Sequence, residues 1–581
     1  MANWILAGTA SELEQSGAKV ITGAIVVFAH EGQFYAVENR CPHMGFPLHM
    51  GSVCDGILTC HWHHARFDVC SGGTLDPWAD DVPAHDVKVE DGQVYVFDEP
   101  KVRKGIERHK HRLREGLQQN LSLIIAKSVV ALMEAKVPPT EIAAVGIDFG
   151  TRQRSAGWGS GLTILSAMVN VLPKLDTYGQ ILALVHGLTH VARDCAGRAP
   201  KYALDPLPPS EFSTKRLAAW YRECIEVRDT DGAERVLLAA CERGADSRTL
   251  ADMMLLAATD HVYLDGGHTF DFHNKAFEMT DAMKGEISAQ ILTSLVPLLG
   301  NPTRSEELQN WRAPIDLIEP MQRAFSVLDS HPLATDGSLP DGFDEAEFVE
   351  LLLSDNPNLS VEQLTSALLD GADPVRLAQL VVLAAAERIV RFHTQNDFGD
   401  WIAVLHTFTH AHAVQVRLQK RAHPLVIRAL YHTVTRIYLD RFLNVPAAKR
   451  PNAKSVRDAG TRQTAEFLTL LDQRQQVNEA AAWVSEYLET GGDRRELLNT
   501  LGHALLREDA EFHSFQMYEA AVQEFDAWDA SASSVASYAK ETLLIALARY
   551  LAAHAPTARE LPQIVRIAWR LSRNEKLYEA D

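Results

Sequence analysis

Cys41, His43, Cys60 and His63 make two short arms, Cys-Pro-His and Cys-His-Trp-His, separated by sixteen residues. Two thiolates and two neutral imidazoles at this spacing suit two metal groups. A [2Fe–2S] cluster takes both thiolates on one iron and both imidazoles on the other. A single zinc ion takes all four in a tetrahedron. Either group requires the arms to lie on separate loops that close from one side, and the intervening residues supply that reach.

A second population of donors lies far along the chain. Tyr178-Gly179 opens a segment ending His186-Gly187-Leu188-Thr189-His190, and Phe398-Gly399 opens its counterpart ending His406-Thr407-Phe408-Thr409-His410. Positions i and i+4 share one helix face, which lets two imidazoles share a metal. Another set recurs as His268-Thr269-Phe270-Asp271 and His513-Ser514-Phe515-Gln516, with His393-Thr394 in the equivalent place. Thirteen residues after each of these stand Asp281, Asp526 and His406. The candidate metal ligands are therefore His186, His190, His268, His273, His393, His406, His410 and His513. The patch from Asp260 to His273 offers a carboxylate for a two-histidine, one-carboxylate iron site. For each residue the competing reading is a hydrogen-bonded core histidine, because duplication copies structural side chains as readily as functional ones.

The elements that must position these donors divide sharply. Residues 1–98 read as short strands with Glu31-Gly32, Asp55-Gly56 and Asp91-Gly92 as turns, the last between alternating Val87, Val89 and Val94, Val96. After residue 105 the apolar residues recur at three and four, and β-turn signals nearly vanish. The expected fold class is multidomain: a small all-β domain (1–98), a basic linker (99–114) and a large all-α domain (115–581). The helical body repeats itself. Ala-Leu-Leu-Asp-Gly-Ala-Asp at 367–373 matches segments at 240–246 and 487–493, with a weaker copy at 131–139. A glycine ending one helix and an aspartate capping the next explain the pattern. About four helical-hairpin repeats at intervals of roughly 105–130 residues follow. Loops are expected at 197–212, 300–345 and 446–451.

The two arms, with Arg40 before them and Ala65-Arg66-Phe67-Asp68 and Gly72-Gly73 after them, resemble the Rieske ferredoxin and Rieske oxygenase family over residues 1–98. The resemblance implies a [2Fe–2S] cluster held by Cys41, His43, Cys60 and His63, with a proline-bearing loop around Pro77 and Pro83 covering it. Departures from the family pattern matter. Phe46 and Trp62 stand where high-potential members carry a bridging cysteine pair, and Ala65 replaces a cluster-facing serine. Fewer hydrogen bonds to cluster sulfur imply a potential toward the roughly −150 mV end of the Rieske range. His61 replaces a usual proline and His64 a usual glycine. The familiar oxygenase iron domain is mixed α/β, so the family's catalytic residues do not carry over past residue 98.

Bulk properties narrow the setting. The formal net charge is −20, and residues 1–100 hold 14 acidic and 4 basic side chains. Nucleic acid is thereby excluded as a partner. Lys101 to Arg114 carries seven Lys/Arg and one Glu, reading as a linker pinned on the acidic module or as the solvated start of a helix. No apolar run approaches the ~18 residues of a membrane span, and no secretory signal is visible. The cysteines outside the arms (Cys54, Cys70, Cys195, Cys224 and Cys241) are an odd, scattered set that fits a reducing, cytoplasmic setting. Gly157-Trp158-Gly159-Ser160-Gly161 lacks the strand a dinucleotide site needs, leaving an anion site or a tight loop.

The expected function is an oxygenase-like oxidoreductase. Electrons from an external reductase pass through the [2Fe–2S] cluster to a non-haem metal, iron, in the helical domain, oxygenating or oxidising a small organic substrate. Alternatives are an electron-transfer or redox-sensing protein with a helical scaffold and structural histidines, or haem in the helical cavity. A homo-oligomer is compatible with either.

Overall fold

The computed structural model describes residues 3–577 except 23, 102–104, 209–211, 286, 330, 336, 445 and 451–462. Parts of the expected linker (102–104) and of the loops at 197–212 and 446–451 (209–211 and 451) lie outside the described residues. The chain packs as two compact units, residues 1–145 with 561–581, and residues 146–560. The boundaries expected at 98 and 114 fall inside the first unit.

Among the described residues the first unit begins with nine strands: β1 Trp4–Thr9, β2 Ala18–Ile21, β3 Ile25–His30, β4 Gln33–Glu38, β5 Ser52–Cys54, β6 Ile57–Thr59, β7 Arg66–Asp68, β8 Ala84–Glu90 and β9 Gln93–Pro100. They form a six-stranded sheet in the order β1-β9-β8-β4-β3-β2 and a three-stranded sheet β5-β6-β7. The three expected turns join β3–β4, β5–β6 and β8–β9, each with positive φ at both central residues, as a two-residue type I′ hairpin requires. Period-two alternation splits β3 between two cores. Ile25 and Val27 pack with Val94 and Val96. Val26 and Phe28 pack with Leu48, Leu58, Phe67 and the two arm cysteines. A short helix, Ala10–Ser16, capped by the Thr9 hydroxyl, was not legible in the sequence.

The expected linker is largely a helix, Ile106–Gln118, followed by a second at Ser122–Glu134. Its basic residues pin it to the acidic module: Arg108 pairs with Asp81 and Arg112 with Asp80. Both readings of the basic stretch thus hold together.

The second unit is helical throughout its named elements. The repeated turn is as expected. Gly244, Gly371 and Gly491 sit at φ 73°, 90° and 81°, where a side chain is strained. Asp246, Asp373 and Asp493 then cap the next helix by accepting from the Thr249, Val375 and Arg495 N–H groups, each at 2.7 Å. The weaker copy, in the first unit, uses Lys136 at φ 59°. The expected 300–345 loop contains a helix, Ile318–Leu328. Buried Ile318, Met321, Ala324 and Leu328 give it an apolar stripe, and Pro320 falls in the first turn, where no intrahelical N–H is lost. Three helices, His268–Ala282, Phe398–Lys420 and Phe512–Asp529, carry the histidines of interest, and Ser160–Val171 packs against the first and the last of them. Among the described residues no helix is long and apolar enough to cross a membrane.

Candidate cofactor and metal sites

In the first unit the two arms leave β4 and β6 and repeat one backbone arrangement. The Cys41 N–H donates to Phe46 O and the Gly45 N–H to Cys41 O, at 2.7 and 2.8 Å. The Cys60 N–H donates to Ala65 O and the His64 N–H to Cys60 O, both at 2.9 Å. These tight loops bury both cysteines and turn their thiols toward each other, sharing a hydrogen bond. That contact raises the Cys41 thiol, with burial adding to the effect, and lowers Cys60 to about 6. The His43 and His63 rings meet edge to face, 4.9 Å apart. Burial, then the Lys127 ammonium, lowers His43 to about 4, so the ring is neutral, the form that binds metal.

The donor set fits a [2Fe–2S] group on a structural observation: His43 Nδ1 is buried without a hydrogen-bond partner. Two facing thiols beside two paired imidazoles match the two-sulfur, two-nitrogen split that such a cluster needs. The expected absence of a bridging disulfide has a physical substitute, since Phe46 and Trp62 pack with ring centroids 5.7 Å apart. The seven cysteines are all free. His64 takes φ 61° with an exposed side chain, supplying the conformation that glycine would adopt there. His61 is exposed and bonds Ser52.

In the second unit the helices bring together His268, His406 and His513. One nitrogen from each lies within 4.8 Å of the others. His406 Nε2 and His513 Nε2 are 2.9 Å apart, and the His268 ring lies 4.3 Å from that of His406 and 5.5 Å from that of His513. Burial, then neighbouring imidazoles, lowers His268 to about 4 and His406 well below its usual value. His268 opens its helix directly after a strained loop in which Tyr263, Asp265, Gly266 and Gly267 all have positive φ. At Gly267 a Cβ would lie 3.0 Å from the Tyr263 ring, so glycine is required. Asp265 ties the loop down by accepting from the Thr303 N–H at 2.7 Å.

Glu511, which the sequence did not single out, orients the third ring. Its carboxylate accepts from His513 Nδ1 at 2.7 Å, so that Nε2 is the nitrogen turned to His406 and the group. Burial works to raise Glu511, but the His513 hydrogen bond and charge prevail and hold it at about 2. Phe272 and Phe512, both half-buried, flank the site beside His268.

The other candidates stand apart from this group. His186 Nε2 donates to Leu506 O at 2.9 Å, and His190 packs on the same Phe515 ring as His186. His273 Nδ1 donates to Thr269 O at 2.6 Å, and His410 Nδ1 bonds Thr433 at 2.8 Å. His393 Nδ1 accepts from the Gln395 N–H at 3.2 Å.

Deeper along the same helices Glu278, His412 and Glu519 also converge. There the Lys275 ammonium, with a side chain 1% exposed, donates to Glu519 at 2.7 Å and Glu278 at 3.1 Å. It fills the place of a cation. His412 donates from Nδ1 to Glu524 at 2.7 Å. Burial disfavours its charged form, but the Glu524 bond and the Glu519 and Glu524 charges raise it overall. A readable signal existed: His412 follows His406 by six residues, as Glu519 follows His513. The Gly157–Gly161 turn is a tight loop closed from within. Asp194 accepts from the Gly161 N–H at 2.7 Å, taking the anion position itself.

A family model described as Rieske [2Fe-2S] domain matches residues 3–98. A ferredoxin component of naphthalene 1,2-dioxygenase/salicylate 5-hydroxylase systems from Ralstonia sp is 32% identical over 98 residues, covering 16% of this chain and 94% of the relative. Human apoptosis-inducing factor 3 is 36% identical over 75 residues, 13% of this chain, and the match spans only 12% of that protein's length. A solved complex of reduced oxygenase and oxidized ferredoxin in carbazole 1,9a-dioxygenase contains a chain 30% identical, covering 17% of this chain and 97% of that one, with a TM-score of 0.16. Through residues 3–98, with both cysteine–histidine arms in place, the chain belongs to the Rieske [2Fe-2S] domain family.

Proposed function

We propose that this chain is an oxidoreductase in which electrons received at the Rieske cluster serve a non-haem metal, iron, held by His268, His406 and His513, for oxidation or oxygenation of a small organic substrate. The observation that carries the reading is the convergence of three imidazoles from three helices, with a carboxylate orienting one of them. Three imidazoles suit iron, copper or zinc and leave coordination positions open. Single-electron supply from a Rieske centre favours a redox-active ion. Relatives named as ferredoxin components of a dioxygenase/hydroxylase system and a monooxygenase system support an electron-transfer role for the cluster. An external reductase is the expected donor to the cluster.

A second reading keeps the chain as an electron carrier with a helical scaffold. It is favoured by the direct 2.9 Å His406–His513 contact, which satisfies both nitrogens without an ion. Iron counting with EPR decides between them. The protein is purified anaerobically and measured before and after reduction. The oxidoreductase reading expects more than the two irons of one cluster, with the excess lost in a His406→Ala, His513→Ala double variant that keeps its Rieske signal. Two irons and a Rieske signal alone would overturn it.

A further inference from the structure

The first unit contains a contact that the strand module alone lacks. Lys127, on the helix Ser122–Glu134, reaches into the first cluster arm with a side chain 14% exposed. Its Nζ donates to Pro42 O at 2.6 Å and His43 O at 2.8 Å, and lies 3.4 Å from Asp80 Oδ2. Two of the three residues of the Cys-Pro-His arm therefore hang from one ammonium. Asp80, in the loop between Pro77 and Pro83, also accepts from Arg112 Nε at 2.8 Å. Arg112 in turn donates to Pro77 O and Ala79 O, both at 2.6 Å, and to Glu115 at 2.9 Å. The charged groups around the arm are thus Lys127, Arg112 and Arg40, which immediately precedes Cys41, against Asp80 and Glu115, with Arg108 paired to the neighbouring Asp81.

The surrounding field is strongly negative, since residues 1–100 hold 14 acidic and 4 basic side chains. Reducing the centre by one electron adds one negative charge, which such a field opposes. An ammonium held beside a ligand loop, mostly out of solvent, interacts with that charge with little screening. Its hydrogen bonds also draw electron density from the two carbonyls flanking the His43 nitrogen and Cα. Ala65 supplies no hydroxyl near the second arm, and the Arg40 guanidinium beside the first is engaged by Leu571 O, Asn574 and Glu575 O.

We propose that Lys127 is a positioning residue for the Rieske centre: it fixes the first ligand arm and raises the reduction potential, with Asp80 as the counterweight that limits the rise. The proposal rests on the Rieske reading of the first unit and is independent of any metal in the second.

The test is a redox titration of the full-length chain, followed by the EPR signal of the reduced centre, for wild type, Lys127→Gln, Lys127→Arg and Asp80→Asn. Glutamine keeps N–H donors for the carbonyls and removes the charge; arginine keeps both. The midpoint is expected to fall in Lys127→Gln, stay near wild type in Lys127→Arg and rise in Asp80→Asn, with the signal retained throughout. Wild-type midpoints in both Lys127→Gln and Asp80→Asn would overturn the proposal. Equal shifts in the glutamine and arginine variants would remove the charge as the cause and overturn it as well. Should Lys127→Gln fail to assemble a cluster, the direction of the Asp80→Asn shift decides alone. A wild-type chain with no Rieske signal at all is a separate failure, that of the cluster reading.

Discussion

The two histidine sites are built by opposite strategies. The first-unit donors lie between residues 41 and 63, on two loops that repeat one set of backbone hydrogen bonds. The second-unit donors come from three helices, with His268 and His513 at opposite ends of a long stretch of chain. One site is fixed by local geometry, and the other exists only once the helices have packed. The first should therefore be broken by changing a ligand and little else. The second should be sensitive to everything that holds the helices in register.

The sharpest break of the first site is Cys60→Ser. A thiolate ligand is removed from a buried, paired position, so the EPR signal of the reduced centre should vanish while the second unit keeps its helical circular dichroism. Retention of that signal would reassign the ligands.

Legibility in the sequence follows the same division. Cys41, His43, Cys60 and His63 were readable because the spacing itself encodes two loops, and the flanking residues matched a family pattern. The eight candidate histidines of the helical body contained His268, His406 and His513, but spacing did not select them. His406 lies in the same repeat position as His186, while His268 and His513 come from a different set, so the group mixes two registers. Only the crossing of the helices decides that. Glu511 was invisible because it acts as a helix cap and reveals its role through a bond to its neighbour two residues on. The repeated Gly–Asp turns were legible because each is a local backbone requirement. The helix Ile318–Leu328 was not, lying amid prolines and glycines that read as loop.

The register of the second unit is tested next by Lys275→Met. The ammonium sits between Glu278 and Glu519 in the core, and its removal leaves the two carboxylates buried with only His412 and Arg417 as nearby cationic partners. Breaking such a pair typically costs about 3–5 kcal/mol. Urea unfolding followed by circular dichroism should show a loss of this order. A wild-type midpoint would mean that the two glutamates are solvated or already protonated, and that the network does not lock the helices.

A smaller effect, distributed over many groups, comes from pH. Burial lowers His186, His268 and His273 to about 4, and His190 and His410 to about 3. The unfolded chain protonates these rings near 6.5. Between about 6.5 and 4 the unfolded state therefore binds more protons than the folded one. Stability rises with pH there, and is lost as pH falls through that window, by up to about 1.4 kcal/mol per pH unit for each ring. Glu511, held at about 2, contributes stability above its unfolded value near 4.5 and so leaves the pH 5–7 range unaffected. Asp271, raised by burial to about 6, and His412, raised by its glutamate partners, act in the opposite sense but are outnumbered by the lowered rings. The urea midpoint of metal-free protein should therefore fall from pH 7 to pH 5. A flat profile would place these rings in contact with water and weaken the case for a neutral imidazole at His268.

The smallest effect sharpens the local side of the comparison. His64 holds φ 61° at the end of the second arm, where its N–H bonds Cys60 O and its side chain is exposed. A side chain in the left-handed region costs roughly 1–2 kcal/mol, which glycine avoids. Glycine gives back about 0.4–1 kcal/mol through a freer unfolded chain. His64→Gly should therefore stabilise the first unit by about 0.5–1 kcal/mol in thermal or urea unfolding, with the reduced cluster spectrum unchanged. A destabilised variant, or an altered spectrum, would mean that the imidazole itself supports the arm. Local backbone geometry would then be an incomplete account of how the first site is held.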